Sequence, residues 1–305
     1  MKEPQDVPFE KEGQYLKSDN RSNISYFLEH NVLLRRFTLS VGALVNYNSA
    51  LNEGIHFYPG IDASYRIGDN VRLYGSWNRA LRMPTFTDLY YEGKTNKGNP
   101  DLKPEESEAF EVGLKYNTYF LRAHIAGFYR KGKNMIDWVK EKPEDIWESR
   151  NLTKVDNLGF ETNLSLLPRE LGNERFFIRK IELGYAFIHQ DKDSEGYISN
   201  YALDYLKHKF TAQLSHSIWK GFSATWYVRW QDRAGSYTKY ENLKPAYEEP
   251  YAPYCLVDMK VNWEYQRLNL YAELNNLLNS TYYDLGNIPQ PGIWFKAGFR
   301  YSFKY

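Results

Sequence analysis

The sequence contains few of the features that define the commoner protein classes. Its single cysteine, Cys255, excludes an internal disulfide. No apolar run comes near the roughly 18 residues that a membrane-spanning helix needs. The opening residues Met1 to Asp6 include no apolar core of a signal peptide. With a formal net charge of +1, the chain has neither a basic surface for nucleic acid nor an acidic tail.

Catalytic motifs are also absent. The six histidines are scattered, and no HExxH, GxSxG or CxxC pattern, phosphate-binding loop or dinucleotide-binding fingerprint occurs. His189 with Asp191 and Asp193 is the one acid-and-histidine grouping that could imitate a catalytic rim, which leaves a surface enzyme or adhesin as a third alternative. We expect no catalytic residue, no cofactor and no metal site.

Aromatic residues are abundant, with 27 Tyr, 17 Phe and 8 Trp. A soluble core rarely needs so many, whereas a membrane barrel uses them in belts at both membrane interfaces. The mean hydropathy of −0.66 does not decide between the two. A barrel whose strands alternate between lipid and lumen also averages polar.

Apolar and polar residues alternate along the chain, as the final segment shows. One face of that segment carries Ile293, Phe295, Ala297, Phe299, Tyr301, Phe303 and Tyr305. The other carries Trp294, Lys296, Gly298, Arg300, Ser302 and Lys304. A period of two residues predicts a β-strand with one apolar and one polar face.

The same alternation predicts thirteen strands, separated by connections of alternating length. The strands lie near 21–32, 34–47, 55–67, 70–80, 107–118, 119–132, 156–168, 177–190, 205–219, 222–235, 253–265, 267–277 and 292–305. Long connections are expected at 81–106, 133–155, 191–204, 236–252 and 278–291, with short turns between. Short turns at one end and long loops at the other are typical of an antiparallel transmembrane β-barrel.

A soluble sandwich or propeller shares the alternating pattern and is the alternative fold. Three observations count against it: the polar faces carry charges on strand after strand, the strands are long, and the aromatic residues concentrate toward strand ends. We therefore predict an all-β, antiparallel membrane barrel.

Several motifs resemble those of TonB-dependent outer-membrane receptors. The loop after the fourth strand reads Arg82 to Thr85, then Asp88 to Tyr91, then Gly98 to Glu105, and the chain returns through Glu111 to Gly113. This resembles the R-x-P-T, D/E-L-Y and G-N-P-x-L-K-P-E order of that family, followed by E-x-G. Gly159 to Glu161 looks like the family's G-x-E strand start. Asn275 to Asn279 with Tyr282 and Tyr283, before the closing aromatic strand, is similar to its penultimate-strand signature.

The resemblance implies a 22-stranded barrel with an N-terminal plug in the lumen. The thirteen strands would then be the C-terminal part of such a barrel, with the plug absent. Residues 1–20 would be a remnant of an extracellular loop and 21–305 the barrel portion. The chain is accordingly expected to be a truncated or excised part of a longer receptor. Independently of the family, the prolines stiffen the 81–106 loop, and Glu105 or Glu106 could accept hydrogen bonds near the start of the returning strand. We interpret the Leu102 to Glu105 part as a loop-closing rather than a ligand-binding element.

By resemblance, the function expected is active transport of a scarce ligand, such as cobalamin or a ferric siderophore, across the outer membrane of a Gram-negative bacterium. The implied partners are outer-membrane lipid, the small-molecule ligand, the TonB complex through a missing N-terminal segment, and the barrel assembly machinery through the closing strand. A passive, porin-like barrel is the alternative. Aromatic residues of the long loops are the candidate ligand contacts, namely Tyr90, Tyr91, Trp138, Tyr237 and Tyr240, unless they merely belong to the outer aromatic belt.

Overall fold

The computed structural model describes residues 20–49, 54–142, 144–172, 175–193, 196–199, 205–242, 244–286 and 288–303. Most of this backbone is β-strand. In chain order the elements are β1 (Asn23–Leu33), β2 (Phe37–Asn48), β3 (Ile55–Arg66), β4 (Val71–Arg82), α1 (Phe86–Tyr90), β5 (Asn96–Lys97), β6 (Glu105–Asn117), β7 (Leu121–Lys140), β8 (Trp147–Leu166), a 3-10 helix (Pro168–Leu171), β9 (Ile178–Asp193), β10 (Ile198–Ser199), β11 (Leu206–Trp219), β12 (Phe222–Arg233), β13 (Ser236–Glu241), β14 (Lys244–Pro250), β15 (Tyr254–Tyr265), β16 (Leu268–Asn275), β17 (Tyr283–Leu285), β18 (Ile288–Pro289) and β19 (Trp294–Tyr301). Within the described ranges, no helix has the length and apolar character needed to cross a membrane.

Thirteen of these strands form one continuous antiparallel sheet. Its order is β1-β2-β3-β4-β6-β7-β8-β9-β11-β12-β15-β16-β19, so each long strand pairs with its neighbours in sequence. The prediction of thirteen strands and of an antiparallel all-β fold is confirmed. The sheet order also places β1 and β19 at two opposite edges, where each has a single partner strand within the described residues.

The register brings like faces together. On the polar face, Lys260 lies opposite Glu273, which lies opposite Lys296. The Glu273 carboxylate is 2.7 Å from the Lys260 Nζ and 2.5 Å from the Lys296 Nζ. On the other face, Phe295 and Phe299 are 61% and 74% exposed. A shift of one residue would move these lysines onto the apolar face, so the register is strongly specified.

Two glycines let tyrosines lie flat across the polar face. Tyr74 covers Gly113 on the neighbouring strand, and Tyr271 covers Gly298. A Cβ at either glycine would lie 2.5 Å from the tyrosine hydroxyl oxygen. Any larger residue at Gly113 or Gly298 would therefore displace the ring.

Short turns and long connections alternate between the two ends of the sheet. The short ones span residues 34–36, 67–70, 118–120, 167–177, 220–221 and 266–267. The other connections between strands of the sheet lie at the opposite end. We call these the short-turn end and the long-loop end. The predicted short turns are confirmed, and so are the predicted long connections except that at 133–155, where only residues 141–146 separate β7 from β8.

The prediction for 133–155 was wrong in part, because most of this expected loop is strand. β7 continues to Lys140 and β8 starts at Trp147, with Met135 still opposite Leu152 and Val139 opposite Glu148. β10 pairs with the end of β7, and β5 pairs in parallel with the start of β8. We call residues 133–140 and 147–155, together with β5 and β10, the outer extension.

The outer extension contains a small hydrophobic core of its own. Val139, Leu152 and Val155 are almost fully buried, and Met135 and Tyr197 pack against them. Protein covers the strands here on sides that would face lipid in a membrane wall, so the simple alternation in the sequence is lost. Residues 1–19, most of the predicted loop remnant, and the last two residues of the closing strand lie outside the described residues.

Candidate functional site

The connection between β4 and β6 is closed by an ion pair. The Arg82 guanidinium donates two hydrogen bonds to the Glu105 carboxylate, each 2.6 Å long. The same carboxylate accepts a 2.7 Å hydrogen bond from the backbone N–H of Ile136. Glu105 is buried, so these partners satisfy a carboxylate that would otherwise be costly to remove from water.

A short helix inside this connection accounts for the other motif residues. Thr85 and Asp88 form a capping box, in which each side chain accepts a hydrogen bond from the other residue's backbone N–H. Gly98 packs against the end of the helix, where a Cβ would lie 2.8 Å from the backbone of Leu89. No helix was predicted here, and α1 is short enough to escape detection by periodicity.

Asn151 joins the connection to the outer extension. Its side chain accepts a hydrogen bond from the Lys103 N–H and donates to the carbonyl oxygens of Lys103 and Asn134, at 2.7 to 2.8 Å. Leu102 beside it is buried. These contacts support the interpretation of the Gly98 to Glu105 segment as a structural brace rather than a ligand contact.

Three of the five predicted ligand-contact residues lie around this brace. The Tyr91 ring meets Trp138 edge to face, with centroids 6.4 Å apart. Trp138 is 8% exposed and Tyr91 48% exposed, so Tyr91 presents the accessible surface of the pair. Tyr90 stacks on Phe86 within α1, at 6.3 Å. Tyr91 and Trp138 come from different connections, and the outer extension brings them together.

The fourth predicted residue, Tyr237, is the centre of a second group at the long-loop end. Its ring lies 5.1 Å from that of Tyr251 and 5.5 Å from that of Tyr283, with which it stacks. The Lys239 Nζ lies 5.9 Å and 5.7 Å from the Tyr237 and Tyr283 ring centroids. We call Tyr237, Lys239, Tyr251 and Tyr283 the tyrosine cluster. Burial is the main cause that raises the pKa of Tyr237 above its ordinary value.

The surroundings of the tyrosine cluster fix its shape. Gly286 packs so closely on Tyr237 that a Cβ would overlap the ring. Beside the cluster, the Tyr254 hydroxyl donates to Asp284 at 2.5 Å, and the Arg233 guanidinium lies 5.5 Å from the Tyr251 ring. A cationic, aromatic and partly buried surface of this kind suits a large ligand with planar or anionic groups.

Tyr283 was not predicted as a candidate, and Tyr240 does not join the cluster. Tyr283 was noted only as part of the penultimate-strand pattern, and its contact with Tyr237 depends on how two separate connections fold. Tyr240 is 55% exposed and makes no ring contact within the described part of the chain. Its ligand contact stays a prediction.

A charge on the β13–β14 hairpin acts on the outer extension. Burial lowers the pKa of Lys140 in the outer extension, and the carboxylate of Glu248 on β14 is the foremost charge that opposes this. The β13–β14 hairpin that carries Tyr237 therefore lies within electrostatic range of the extension that carries Trp138.

Within the described residues, the acid-and-histidine grouping of the sequence forms ion pairs rather than a catalytic arrangement, and the side chain of Asp193 lies outside them. Asp191 is bound by the Lys154 ammonium at 2.8 Å, and Lys154 also lies 3.5 Å from Asp156. Asp191 is an exposed ion-pair residue. Across the described ranges, no three His, Cys, Asp or Glu side chains converge as metal ligands would.

Comparison with known proteins decides the family. The family model described as "TonB dependent receptor-like, beta-barrel" matches residues 4–277, most of the chain. The chain belongs to the TonB-dependent receptor family. The TonB-dependent receptors are outer-membrane barrels of Gram-negative bacteria and act as transporters and receptors rather than enzymes.

Curated relatives of this receptor barrel include two transport proteins of known name. It is 28% identical to the vitamin B12 transporter BtuB of Vibrio vulnificus over 134 residues, which cover 39% of this chain and 21% of the relative. It is 22% identical to the ferrienterobactin receptor of Escherichia coli over 297 residues, which cover 88% of this chain and 38% of the relative. The chain thus spans well under half the length of these relatives.

Solved structures show the same fold. A variant of the ferric enterobactin receptor from Pseudomonas aeruginosa superposes with a TM-score of 0.71 at 20% identity, covering 93% of this receptor barrel and 45% of that chain. The FrpB iron transporter from Neisseria meningitidis gives a TM-score of 0.70 at 17% identity, with 93% and 45% coverage. At these identities the likeness extends to the fold alone.

Proposed function

We propose that this receptor barrel binds a scarce ligand, cobalamin or a ferric siderophore, at the cell surface and supports its import, driven by the TonB complex in the full-length protein. Membership of the receptor family is the observation that carries the proposal. The names of the vitamin B12 transporter and the ferrienterobactin receptor supply the two ligand classes. Nothing is done chemically to the ligand, so function rests on binding and release.

The ligand surface in this proposal consists of the tyrosine cluster and the exposed face of Tyr91. Aromatic rings supply a large contact area at low conformational cost, because each has only two side-chain torsions. Lys239 and Arg233 supply positive charge beside the rings, which favours an anionic or electron-rich ligand. The buried Trp138 packs against Tyr91 and holds its ring in place. Tyr90 and Tyr240 would contact only a ligand that extends beyond the tyrosine cluster.

Transport assays on the full-length receptor test this function. A strain that lacks its own cobalamin and siderophore receptors is complemented with the receptor gene, and uptake of labelled cobalamin and of ferric siderophores is measured with and without the TonB complex. We expect uptake of one ligand class that depends on TonB. Equal uptake without TonB would contradict energised transport.

Passive diffusion is distinguished by a second measurement. Liposomes containing the purified chain are placed in solutions of small sugars, and the rate of swelling is recorded without an energy source. A size-dependent swelling like that of a porin would favour the passive alternative. Swelling no faster than in empty liposomes would leave receptor function as the remaining explanation.

Substitutions at the tyrosine cluster test the location of the ligand surface. Tyr237→Ala removes the central ring and is expected to raise the ligand Kd on the order of tenfold. Tyr237→Phe retains the stacking and should retain most of the affinity. Tyr247→Ala, an exposed tyrosine of the same hairpin, is the matched control. An unchanged Kd for Tyr237→Ala, measured by titration calorimetry, would place the site elsewhere.

A further inference from the structure

The short turns of the sheet share a pattern that ligand transport does not explain. Each places an exposed apolar side chain at the end of the barrel wall, and all six of these side chains are more than half exposed. These side chains are Leu34, Ile67, Tyr119, Phe177, Trp219 and Tyr265. By family architecture the short turns face the periplasm. The apolar groups therefore lie where the wall leaves the inner leaflet of the outer membrane.

Positive charge accompanies these apolar groups. Four of the six turns contain basic residues, and the turns 67–70 and 118–120 contain none. The basic residues are Arg35, Arg36, Arg169, Arg175, Lys220 and Arg267, against the acidic residues Asp69, Glu170 and Glu174. Within the described part of the chain, the side chains of Arg35, Arg36, Lys220 and Arg267 are exposed and take part in no ion pair. Their charge is available to a partner outside the chain.

The rings around the 220–221 turn indicate where its charge lies relative to the membrane. Trp219 lies opposite Phe222, whose ring is 6.0 Å from that of Trp263, and Trp263 stacks on Tyr265 at 5.8 Å. The Lys220 Nζ is 5.3 Å from the Trp219 ring centroid. Rings of this kind occupy the headgroup level of a membrane. Lys220 therefore lies at the same level as the lipid headgroups.

We infer that the six short turns form a basic, aromatic collar that binds the phosphate groups of anionic phospholipids in the periplasmic leaflet. The attraction of a basic residue to an anionic membrane surface acts within about one Debye length, roughly 8 Å at physiological salt. Long side chains can extend from the turns toward the headgroups while their stems cover apolar surface. The occupant is a lipid rather than a soluble anion, because the Lys220 ammonium adjoins the exposed Trp219 ring, which needs an apolar neighbour. The inference rests on the outer-membrane location alone and is independent of the transported ligand.

Lipid retention tests the collar. The purified chain is reconstituted in vesicles of phosphatidylcholine and phosphatidylglycerol, extracted in mild detergent and analysed by native mass spectrometry for the two lipids that stay bound. We expect phosphatidylglycerol to be enriched over its share in the vesicle. The triple variant Arg36→Gln, Lys220→Gln and Arg267→Gln removes one charge from each of three turns. Loss of one such charge is expected to lower the enrichment about fivefold, so the triple variant should lower it by at least that factor.

A matched variant separates the collar from bulk charge. Lys94→Gln, Lys103→Gln and Lys142→Gln remove three exposed charges from the long-loop end and should leave the enrichment unchanged. Equal loss in both variants, or no loss in the collar variant, would overturn the inference. Correct folding of each variant is checked by heat-modifiable electrophoresis. If the collar variant does not fold, the wild-type chain decides, since its enrichment should fall as salt is raised from 0.05 to about 0.5 M.

A thermal unfolding experiment distinguishes lipid phosphate from free phosphate as the bound group. Thermal unfolding of the chain is followed in pure phosphatidylcholine vesicles with and without added glycerol phosphate, and in vesicles containing phosphatidylglycerol. Stabilisation by the anionic vesicle alone supports a lipid-binding collar. Equal stabilisation by glycerol phosphate would show a site for soluble phosphates and would overturn the proposal as stated.

Discussion

At the scale of single residues, Glu105 shows how one carboxylate holds two parts of the receptor barrel together. It binds Arg82 at the end of β4 and the Ile136 N–H in the outer extension. The motif that contains it could be recognised in the sequence, and so could its closing role. Its partner in β7 could not, because Ile136 lay in a segment predicted as loop.

Removal of this carboxylate should loosen the brace without affecting the wall. Glu105→Ala leaves Arg82 with only the more distant Asp88 carboxylate, 3.8 Å away, and the Ile136 N–H unpaired, which we expect to cost about 1–3 kcal/mol of local stability. Limited proteolysis should then cut the chain within 83–104 faster than in the wild type. Glu106→Ala, which removes an exposed carboxylate 3.9 Å from Arg79, is the control and should leave the cleavage rate unchanged.

The tyrosine cluster marks the limit of residue-level prediction. Tyr237 could be selected because it is an aromatic residue in a long connection. Its contacts with Tyr251 and Tyr283 depend on the fold of two connections that the sequence presents as irregular. Aromatic composition thus predicts that the long-loop end is a binding surface, whereas tertiary packing selects which rings contact one another there.

At the scale of elements, the thirteen wall strands were predictable because lipid and lumen impose opposite chemistry on alternate residues. The outer parts of β7 and β8 were not. Beyond the membrane, β5, β10 and the small core at Val139 take the place of lipid, so apolar residues occur on either face. The alternating signal therefore ends where the membrane ends, although the strands continue.

Truncation in the small core should unfold the outer extension alone. Leu152→Ala removes buried methyl groups, and we expect a loss of about 2–4 kcal/mol in local stability. Hydrogen exchange measured by mass spectrometry should accelerate in 133–155 and remain slow in β11 and β12. Ile146→Ala, at a 43% exposed position beside β8, serves as the control. Uniform acceleration across the wall would show that the extension is not an independent unit.

The face assignment of the wall can be tested at two consecutive residues. Val261 lies in an apolar cross-strand row with Ala224 and Ala272, whereas Asn262 lies opposite Tyr271 on the polar face. Val261→Lys places a charge toward lipid and should destabilise the inserted barrel by about 2 kcal/mol, whereas Asn262→Lys should have little effect. Urea unfolding of the vesicle-inserted chain measures both. Equal destabilisation would contradict the assigned faces.

At the scale of the whole molecule, the sheet has two edges that lipid cannot satisfy. β1 and β19 each present a row of backbone groups without a strand partner within the described residues. An unpaired backbone group in hydrocarbon costs several kcal/mol, so an inserted sheet closes or pairs with further strands. Alternation along each strand predicted the sheet, because it reports the two faces of a strand and not the partners of its edges.

Backbone exchange at the edges reports on closure. In the membrane-inserted chain we expect the amides of β1 and β19 to be as protected as those of β2 and β16, because bare edges are too costly in lipid. In detergent or urea the same amides should exchange first. Rapid exchange of both edge strands in a chain shown to be inserted would mean that open edges are tolerated.

The outer extension has a consequence for how the cell surface is recognised by other molecules. Its four strands come from three separate connections and are held by a core at Val139, Leu152 and Val155. Antibodies raised against the folded receptor would thus meet a rigid, discontinuous epitope. Linear peptides from 96–97, 133–155 or 198–199 would reproduce only fragments of it, and an immunogen for this region would need the folded barrel.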